Sequence, residues 1–330
     1  MTTLVSGAKG FIGRALCRRL QQEGIRVRAL SRSAVVGSDP WDEAVTADLT
    51  EPLPPGIMTD IDCVFHLASK VHAFDEISED PDEFERLNVD GTRRLIEAAR
   101  RSGVERFVLF SSVKAMGEGT TREIDESEPP RPKTAYGRSK LAAEDLVREF
   151  SRGGRHGSIL RLPLVYGVGN KGNLHRMIAA IDRGRFPPLP ETGNRRSIVH
   201  VGNVVDAALL AAARPEARGE TFIVTDGRDY STRELYEAIC LGLGRTVPSW
   251  TMPLSVLRAA GRAGDLVGRL LGRRFRVDSD AVEKLVESAS YSSAKITRAL
   301  GYRPRSTFAE VLPAILDWYR SPRSAAEVLP

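Results

Sequence analysis

Apolar residues in the first half of the chain follow two alternating patterns. Short runs rich in β-branched and apolar residues stand between polar stretches, and longer segments carry apolar residues at every third or fourth position. The short runs are typical of strands buried on both faces of a parallel sheet, and the longer segments of amphipathic helices. Strands are predicted at residues 3–6, 26–30, 44–47, 63–67, 107–111 and 158–162.

Helices are predicted between these strands. In a helix over residues 11–23, Ile12, Leu16 and Leu20 share one face, and Gly24 supplies a stop signal. Regular alternation of strand and helix predicts an α/β fold, specifically a Rossmann-type doubly wound parallel sheet. Further helices are predicted at residues 82–102 and 136–151.

This regular order loosens after about residue 158. A glycine-rich loop, a proline-rich segment at 186–190 and a mixture of short strands and helices follow. We therefore expect a main domain over residues 1–165, to which some later strands return, and a smaller mixed α/β lobe over residues 166–330. The last ten residues have little periodicity, and we expect them to be loosely held.

One helical stretch, Leu254–Leu271, carries arginines among its apolar residues. Such a helix suits a membrane surface. Its three glycines weaken a free-standing helix, so packing by its leucines into the lobe, or against a second subunit, is the favoured interpretation. No run of 18 apolar residues occurs, and we expect no integral membrane insertion.

Composition places the chain among globular proteins of a reducing compartment. Apolar residues make up 42% and charged residues 28% of the 330 positions, which excludes a disordered or fibrous chain. The N-terminus lacks the basic–apolar–small order of a secretory signal. Three cysteines, far apart and odd in number, favour neither a disulfide framework nor a zinc site. We expect a cytoplasmic protein without a metal.

The chain is basic, with a net charge of +5 and a pI near 9.2. Positive charge suits an anionic partner such as a nucleotide or a nucleic acid. The arginines form short pairs spread along the chain, however, instead of one stripe with interleaved aromatic residues. An arginine-rich surface is the favoured interpretation, and no nucleic-acid partner is expected.

Directly after the first predicted strand the sequence reads SGAKGFIG at residues 6–13. Gly7 permits a tight turn, Gly10 lets backbone amides approach a diphosphate, and Gly13 allows close packing of helix on strand. The helix that follows adds free N–H groups and a partial positive charge. A turn that merely joins strand to helix is the alternative. Position between a strand and an amphipathic helix favours a dinucleotide site in the main domain.

The end of the second strand bears on the choice of dinucleotide. Ser31 and Arg32 stand where an acidic residue would bind the ribose 2′-hydroxyl of NAD. A guanidinium can pair with the 2′-phosphate of NADP, and Lys9 would add a second positive charge. We therefore favour NADP over NAD; the alternative is that Arg32 is a solvated surface residue. Asp48 and Leu49 are predicted near the adenine ring.

Tyr136 and Lys140 are four residues apart, so they share one face of a helix. A phenol with a pKa of about 10 is a poor base at neutral pH. A neighbouring ammonium and an oxidised nicotinamide would favour the phenolate, which then takes a proton from a sugar hydroxyl as hydride leaves the same carbon. A surface Tyr/Lys pair is the alternative. Lys140 would also hold the nicotinamide ribose.

Ser111 and Ser112 end a predicted strand at the carboxyl edge of the sheet, where ligands bind in open α/β folds. A hydroxyl there would bind the substrate oxygen and stabilise its developing charge. Together with the glycine turn and the Tyr/Lys pair, this serine pair favours a catalytic centre. The glycine spacing, G-x-x-G-x-x-G, is that of short-chain dehydrogenases.

The ordered set of motifs resembles the extended short-chain dehydrogenase/reductases, and within them the NAD-dependent epimerase/dehydratase family that acts on nucleotide sugars. The resemblance covers nearly the whole chain and looks strongest to the bacterial branch of surface-polysaccharide synthesis. That branch contains UDP-hexose 4-epimerases and UDP-4-keto-6-deoxy-hexosamine 4-reductases. The motifs are SGAKGFIG (6–13), DL (48–49), VFHLAS (64–69), NVDGTRRLIEAA (88–99), FVLFSSVKAMG (107–117), YGRSK (136–140), LRLPLVYG (160–167), RRSIVHVGNVVDA (195–207) and SSAKITRALGYRP (292–304).

The resemblance implies a role for each matching residue. It makes Tyr136, Lys140 and Ser112 the catalytic set, and it places Asn173 and Arg196 on the nucleotide diphosphate, with a helix cap and a surface charge as the alternatives. The expected substrate contacts are Asn88, Ser112, Asn173 and Arg196. The expected cofactor contacts are Gly7, Lys9, Gly10, Phe11, Ile12, Gly13, Arg32, Asp48, Leu49, Leu67, Ala68, Tyr136 and Lys140.

Three departures from the family pattern matter. Val113 and Lys114 stand where sugar-nucleotide dehydratases carry an Asp-Glu pair, which argues against a dehydratase. Leu164 and Met116 replace an asparagine and a tyrosine of many relatives, so the hexose is not specified.

Several functions stay open within this resemblance. The first is an NAD(P)-dependent enzyme acting at C4 of a UDP-sugar, as a 4-epimerase, which family naming favours, or as a 4-keto reductase, which Arg32 favours. A second is a reductase of a non-sugar ketone, against which the polar, acidic segment 69–87 argues. A third is a non-catalytic NADP sensor, against which the retained Tyr136 and Lys140 argue. A homodimer is expected from the family.

Overall fold

The computed structural model describes residues 1–33, 39–70, 80–271 and 278–321, with backbone alone at residue 271. Within these residues, seven strands form one parallel sheet in the order β3-β2-β1-β4-β5-β6-β9. The strands are β1 (Thr2–Ser6), β2 (Arg26–Ser31), β3 (Glu43–Thr46), β4 (Cys63–His66), β5 (Arg106–Ser112), β6 (His156–Leu162), β7 (Leu164–Tyr166), β8 (Arg196–His200), β9 (Thr221–Ile223) and β10 (Asp229–Tyr230).

Helices cover both faces of this sheet. Adjacent strand residues are buried on opposite faces: Val5 and Phe65 lie in one core, and Leu4 and Val64 in the other. The helices are α1 (Phe11–Gln22), α2 (Pro81–Phe84), α3 (Gly91–Arg101), α4 (Ala135–Arg152), α5 (Asn173–Asp182), α6 (Val201–Ala213), α7 (Thr232–Gly242), α8 (Leu254–Leu271), α9 (Ser279–Val286), α10 (Ala294–Leu300) and α11 (Phe308–Arg320).

The first core is closed by α1 and α6, and the second by α3 and α4. Burial of each strand on both sides explains why the strand sequences are almost continuously apolar. The strand order places a reversal of winding between β1 and β4, which is where ligands bind in this architecture. The predicted Rossmann-type sheet is confirmed.

The predicted helix over residues 82–102 is interrupted. Asp80 caps α2 through a hydrogen bond from the Asp82 N–H, and Glu85–Asp90 then form a wider π-helical turn before α3 begins. Such turns recur at functional sites because they redirect side chains. Here the turn contains Asn88, whose side chain reaches α4.

The second half of the chain builds a smaller sheet in the order β10-β8-β7. Between the two strands β8 and β10, β9 returns to the main sheet beside β6, as expected for late strands. Tyr166, Ile178, Ile239, Phe308 and Leu312 form the core of this part. The proline-rich segment packs at its edge through Leu189.

Leucines pack α8 into the lobe, as one of the two expectations had it, only at the start of the helix. Leu257 is buried beside Leu189 and Val282, but Leu266 and Leu270 are exposed. Among the described helices, none combines the length and the apolar character that crossing a bilayer requires. The last nine residues of the predicted loose tail lie outside the described residues.

Candidate functional site

Two glycines of the SGAKGFIG turn are required by close backbone approach. Gly7 has a φ of +73°, and a Cβ there would lie 2.8 Å from the amide nitrogen of Ala68. A Cβ on Gly13 would lie 2.3 Å from the carbonyl oxygen of Gly7. Both distances are well inside van der Waals contact. Helix α1 can therefore pack against the ends of β1 and β4 only because residues 7 and 13 have no side chain.

The same turn leaves an anion-binding helix end. Gly10 is the N-cap of α1, and the nearest atom to a Cβ built on it is the Gly7 carbonyl oxygen at 3.1 Å. The N–H groups of Phe11 and Ile12 lie in the first turn of α1, where the helix itself has no carbonyl to accept their hydrogen bonds. With the positive end of the helix dipole, these donors fit the diphosphate of a dinucleotide.

Arg32 directly follows β2, and the side chain of Lys9 reaches the same stretch of chain from the glycine turn. The Lys9 ammonium donates to the carbonyl and to the hydroxyl of Ser33, both at 3.0 Å, and so holds the chain that follows β2. Arg32 is exposed. Its charge contributes to a lowered pKa of the Asp48 carboxyl, although hydrogen bonds from Thr50 are the larger cause.

Asp48 and Leu49, the two residues predicted near the adenine ring, have different surroundings. Asp48 accepts from the backbone N–H and the hydroxyl of Thr50 at 2.9 and 2.8 Å. Leu49 is buried, and a Cβ on Gly91 would lie only 3.0 Å from its Cβ. The Leu49 side chain therefore belongs to the core, and its expected contact with adenine stays a prediction.

A buried chain of hydrogen bonds connects the glycine turn to α3. The Thr92 hydroxyl donates to the Asn88 carbonyl at 2.6 Å, so toward the His66 ring, at 2.9 Å, it accepts from Nε2–H. Nδ1 of His66 then accepts from the Ser6 hydroxyl at 2.6 Å. Burial, with a smaller contribution from the Lys140 charge, lowers the pKa of His66 to about 3. The ring is therefore neutral in the folded protein.

The Ser6 hydroxyl also fixes the chain after β4. It accepts from the backbone N–H groups of Leu67 and Ala68, both at 3.2 Å. These two residues, predicted to contact the cofactor, thus lie directly beside Gly7. Their backbone forms one wall of the glycine turn.

Asn88 is 2% exposed and its side-chain amide is fully used. Its amide nitrogen donates to the Ser139 hydroxyl at 2.9 Å and to the Lys70 carbonyl at 3.1 Å. Its oxygen accepts from the Lys70 N–H at 2.8 Å and from the Ser69 hydroxyl at 3.0 Å. These bonds use each donor and acceptor of the amide, and through Ser139 they position α4. The expected substrate contact of Asn88 stays a prediction.

Tyr136 lies in the first turn of α4, next to Ser112 at the end of β5. The Ser139 hydroxyl donates to the Tyr136 carbonyl at 2.8 Å, which links the tyrosine backbone to Asn88. Burial raises the pKa of the Tyr136 phenol, and a hydrogen bond with Ser112 partly opposes this. The phenol is therefore protonated in the protein alone and can donate a proton.

Lys140 is almost fully buried one turn further along α4. Its ammonium donates to the Phe110 carbonyl at 2.7 Å. Burial lowers the pKa of Lys140 to about 8, against the raising effect of Glu144. In the protein alone the lysine charge is directed at β5 and burial dominates the pKa of the phenol. The lowering of that pKa by Lys140 together with an oxidised nicotinamide stays a prediction.

Ser111 and Ser112 point to different partners. The Ser111 hydroxyl donates to Glu144 at 2.6 Å in the core. Arg161 also binds Glu144, with Nε and Nη2 donating at 3.0 and 2.7 Å. Only Ser112 faces Tyr136, as strand alternation dictates.

The two predicted diphosphate contacts, Asn173 and Arg196, lie on α5 and β8. Asn173 is exposed at the first position of α5, where Gly172 and not Asn173 is the N-cap. Arg196 donates from Nη1 to the carbonyls of Lys284 and Glu287 at 2.5 and 3.1 Å, and burial lowers its pKa. Its guanidinium therefore faces the end of α9, and the expected contact of Arg196 with a diphosphate stays a prediction.

Sequence reasoning missed the residues that support this centre. His66 ends the apolar strand β4, and Glu144 lies on the buried face of α4. A polar side chain buried at such a position must have fixed hydrogen-bond partners. A glutamate one turn after Lys140 was an available signal. Its partner Arg161 lies 17 positions later, on the next element β6, so the pairing had no local pattern.

Comparisons with known proteins agree with this geometry. Residues 3–225 match the model of the NAD dependent epimerase/dehydratase family. A UDP-glucose 4-epimerase of Vibrio cholerae is 30% identical over 320 residues, which cover 93% of this chain and 92% of that protein. A 4-hydroxy-2-methyl-3-oxo-4-farnesyl-3,4-dihydroquinoline-1-oxide ketoreductase of Stigmatella aurantiaca is 31% identical over 327 residues, 96% of each chain.

A solved structure with a similar fold is that of MoeE5 in complex with UDP-glucose and NAD. It is 27% identical, has a TM-score of 0.75, and is matched over 98% of this chain and 100% of that one. These similarities extend over both sheets of the molecule.

Proposed function

Because the chain belongs to the NAD-dependent epimerase/dehydratase family, we propose that it catalyses oxidation and reduction at C4 of a UDP-sugar, with Tyr136 as general acid and base. The Vibrio cholerae relative and the bound ligands of MoeE5 support a nucleotide sugar as substrate. The observation that carries the proposal is the placement of Tyr136 and Ser112 together at the carboxyl edge of the sheet.

The glycine turn would hold the cofactor. NAD or NADP, when bound, accepts a hydride from the sugar carbon and returns it. The N–H groups of Phe11 and Ile12 would bind the diphosphate at the start of α1. Gly7 and Gly13 keep the turn narrow enough for that approach.

Proton movement would be the task of Tyr136. In oxidation the ionised phenol takes the proton of the C4 hydroxyl; in reduction the neutral phenol returns a proton to the same oxygen. Ser112 would donate to that oxygen as negative charge develops. Because burial raises the pKa of Tyr136, its ionisation requires positive charge from the oxidised cofactor as well as from Lys140.

Two residues support an epimerase or reductase over a dehydratase. Water elimination from the sugar needs an acid and a base beside the catalytic hydroxyl. In that position Val113 is buried, and the Lys114 ammonium is paired with Glu118. Neither supplies a free carboxyl group.

We also propose NADP as the preferred cofactor. Arg32 is exposed at the end of β2, where it can turn toward a 2′-phosphate. Lys9, which holds Ser33, would keep that stretch of chain in place. A cytoplasmic homodimer in surface-polysaccharide synthesis stays a prediction.

The test is a substrate comparison with the pure enzyme. UDP-glucose and UDP-N-acetylglucosamine are incubated separately with the oxidised dinucleotide (NAD or NADP), and a 4-keto-6-deoxy UDP-sugar is incubated with NADPH; both NADPH absorbance and sugar identity are followed. Interconversion of C4 epimers without net formation of reduced dinucleotide supports the 4-epimerase, which the Vibrio cholerae relative favours. Stoichiometric loss of NADPH with the keto sugar supports the 4-keto reductase. No change with any UDP-sugar would contradict the proposed substrate class.

A second candidate is a reductase of a non-sugar ketone. The similarity to the farnesyl-quinoline ketoreductase of Stigmatella aurantiaca favours it. The same Tyr136 and Ser112 would protonate the ketone oxygen. This hypothesis predicts loss of NADPH with lipophilic ketones and none with UDP-sugars.

A further inference from the structure

Helix α8 carries two different apolar surfaces. One of them packs on the protein: Leu257 is buried, and a Cβ on Gly261 would lie 3.1 Å from Cα of Ser279 on α9. The opposite side is open. Val256, Leu266 and Leu270 have 50%, 59% and 78% of their surface exposed.

The exposed residues form a continuous stripe and not a scatter. At about 100° per residue, positions 256, 259, 263, 266, 267 and 270 fall within one side of the helix. All six are apolar: Val256, Ala259, Ala263, Leu266, Val267 and Leu270. A row of large apolar side chains left in water on one face is typical of an interaction surface.

Charge borders this stripe on one side. Arg258, Arg262 and Arg269 lie along the same edge of the helix, and all three are exposed. Arg258 pairs with Glu283, and the helix's acidic residue, Asp265, accepts from the Ser279 N–H on the packed side. The outward side of the helix therefore presents arginine guanidinium groups and apolar side chains, without a carboxylate.

We propose that α8 docks the enzyme on an anionic phospholipid surface. Apolar side chains along the stripe would enter the boundary between headgroups and acyl chains, and Arg262 and Arg269 would bind lipid phosphates. The helix would lie in the plane of the surface while its other side stays packed on α9. This docking is independent of the chemistry proposed for Tyr136 and would bring the enzyme to a membrane where lipid-linked or lipophilic partners lie.

The test is flotation of the full-length protein with vesicles of phosphatidylcholine, alone or mixed with phosphatidylglycerol. We expect binding to the mixed vesicles that weakens with added salt and is weaker on phosphatidylcholine alone. Leu266→Glu and Leu270→Glu should each reduce the partition coefficient about tenfold. Arg262→Ser combined with Arg269→Ser should reduce it on the anionic vesicles about tenfold.

Matched controls separate the stripe from general surface effects. Leu241→Glu changes an equally exposed leucine on α7, and Arg86→Ser with Arg101→Ser removes two exposed arginines elsewhere. Both should leave binding unchanged, and Tyr136→Phe should bind vesicles normally. Absence of binding to the mixed vesicles, or equal losses in the controls, would overturn the proposal. So would light scattering that shows a dimer broken by Leu266→Glu, because the stripe would then be a subunit contact.

Discussion

Lys140 and Glu144 lie one turn apart on the buried side of α4, yet each charge is held by a different part of the sheet. The Lys140 ammonium donates to the Phe110 carbonyl on β5. The Glu144 carboxylate binds Arg161 on β6 and the Ser111 hydroxyl on β5. The helix that carries Tyr136 is thereby fixed to two neighbouring strands by ionic groups.

Loss of the Glu144 charge should loosen this attachment. Glu144→Gln leaves Arg161 buried without its counter-charge, which costs about 3 kcal/mol in the free energy of unfolding. Urea denaturation measures this. In the control, Glu149→Gln on the same helix, the pair with Arg100 is exposed and 3.5 Å long, so the change should be below about 0.5 kcal/mol. Equal effects of the two variants would contradict a fixing role for Glu144.

Because the His66 ring is neutral in the folded protein, the free energy of unfolding should decrease as the pH falls. Its folded pKa of about 3 lies below the ordinary value of 6.5, so the unfolded chain takes up a proton first as the pH falls. Stability from this residue is complete above about pH 6.5 and is lost toward pH 3; by pH 5 the loss is about 2 kcal/mol.

A variant without the imidazole isolates this contribution. His66→Asn should be less stable than the wild type at pH 7.5, and the difference between the two should shrink by about 2 kcal/mol at pH 5. Urea titrations at both pH values measure it. A difference that is constant with pH would show that His66 is not held neutral.

The glycine turn can be tested with two glycines of equal backbone strain. Gly7 and Gly24 have φ values of +73° and +71°, but a Cβ on Gly24 meets no atom within 4 Å. Gly24→Ala should therefore cost only about 1 kcal/mol of left-handed strain. Gly7→Ala adds the collision with Ala68 and should cost at least about 2 kcal/mol more. Similar unfolding free energies in the two variants would refute the close approach.

Cofactor choice should depend on Arg32. Arg32→Ala removes the guanidinium expected on the 2′-phosphate, so the Kd for NADP should rise about tenfold while that for NAD changes little. Calorimetric titration with both dinucleotides measures this. Arg101→Ala, which removes an exposed arginine on α3, serves as the control. An equal rise of the Kd values for NADP and NAD in Arg32→Ala would contradict the proposed preference for NADP.

Local chemistry explains what the sequence could predict. Gly7 and Gly13 are recognisable because their positions exclude a side chain, and Tyr136 and Lys140 because four residues make one helical turn. These constraints act within a few residues. The parallel sheet was equally predictable, since strands buried on both faces must be apolar throughout.

Long-range partners account for what the sequence missed. The carbonyls that accept from Arg196 belong to residues 284 and 287, which follow it by 88 and 91 positions, and no sequence pattern indicates this contact. The leucines of α8 were expected to pack into the lobe or against a second subunit, and no described element covers the side that carries Leu266 and Leu270. In each case the outcome depends on how distant elements pack, which no local pattern encodes.

Tyr136→Phe tests the central claim most directly. The substitution removes one oxygen atom and keeps the ring, so the Kd for NADPH should stay within about twofold. Turnover of the substrate identified in the comparison should fall at least about a hundredfold, because the proton transfer at the substrate oxygen is lost. Tyr319→Phe, whose hydroxyl binds Asp182, is the matched control and should turn over normally. Turnover by Tyr136→Phe within about twofold of the wild type would contradict the assignment of the general acid and base.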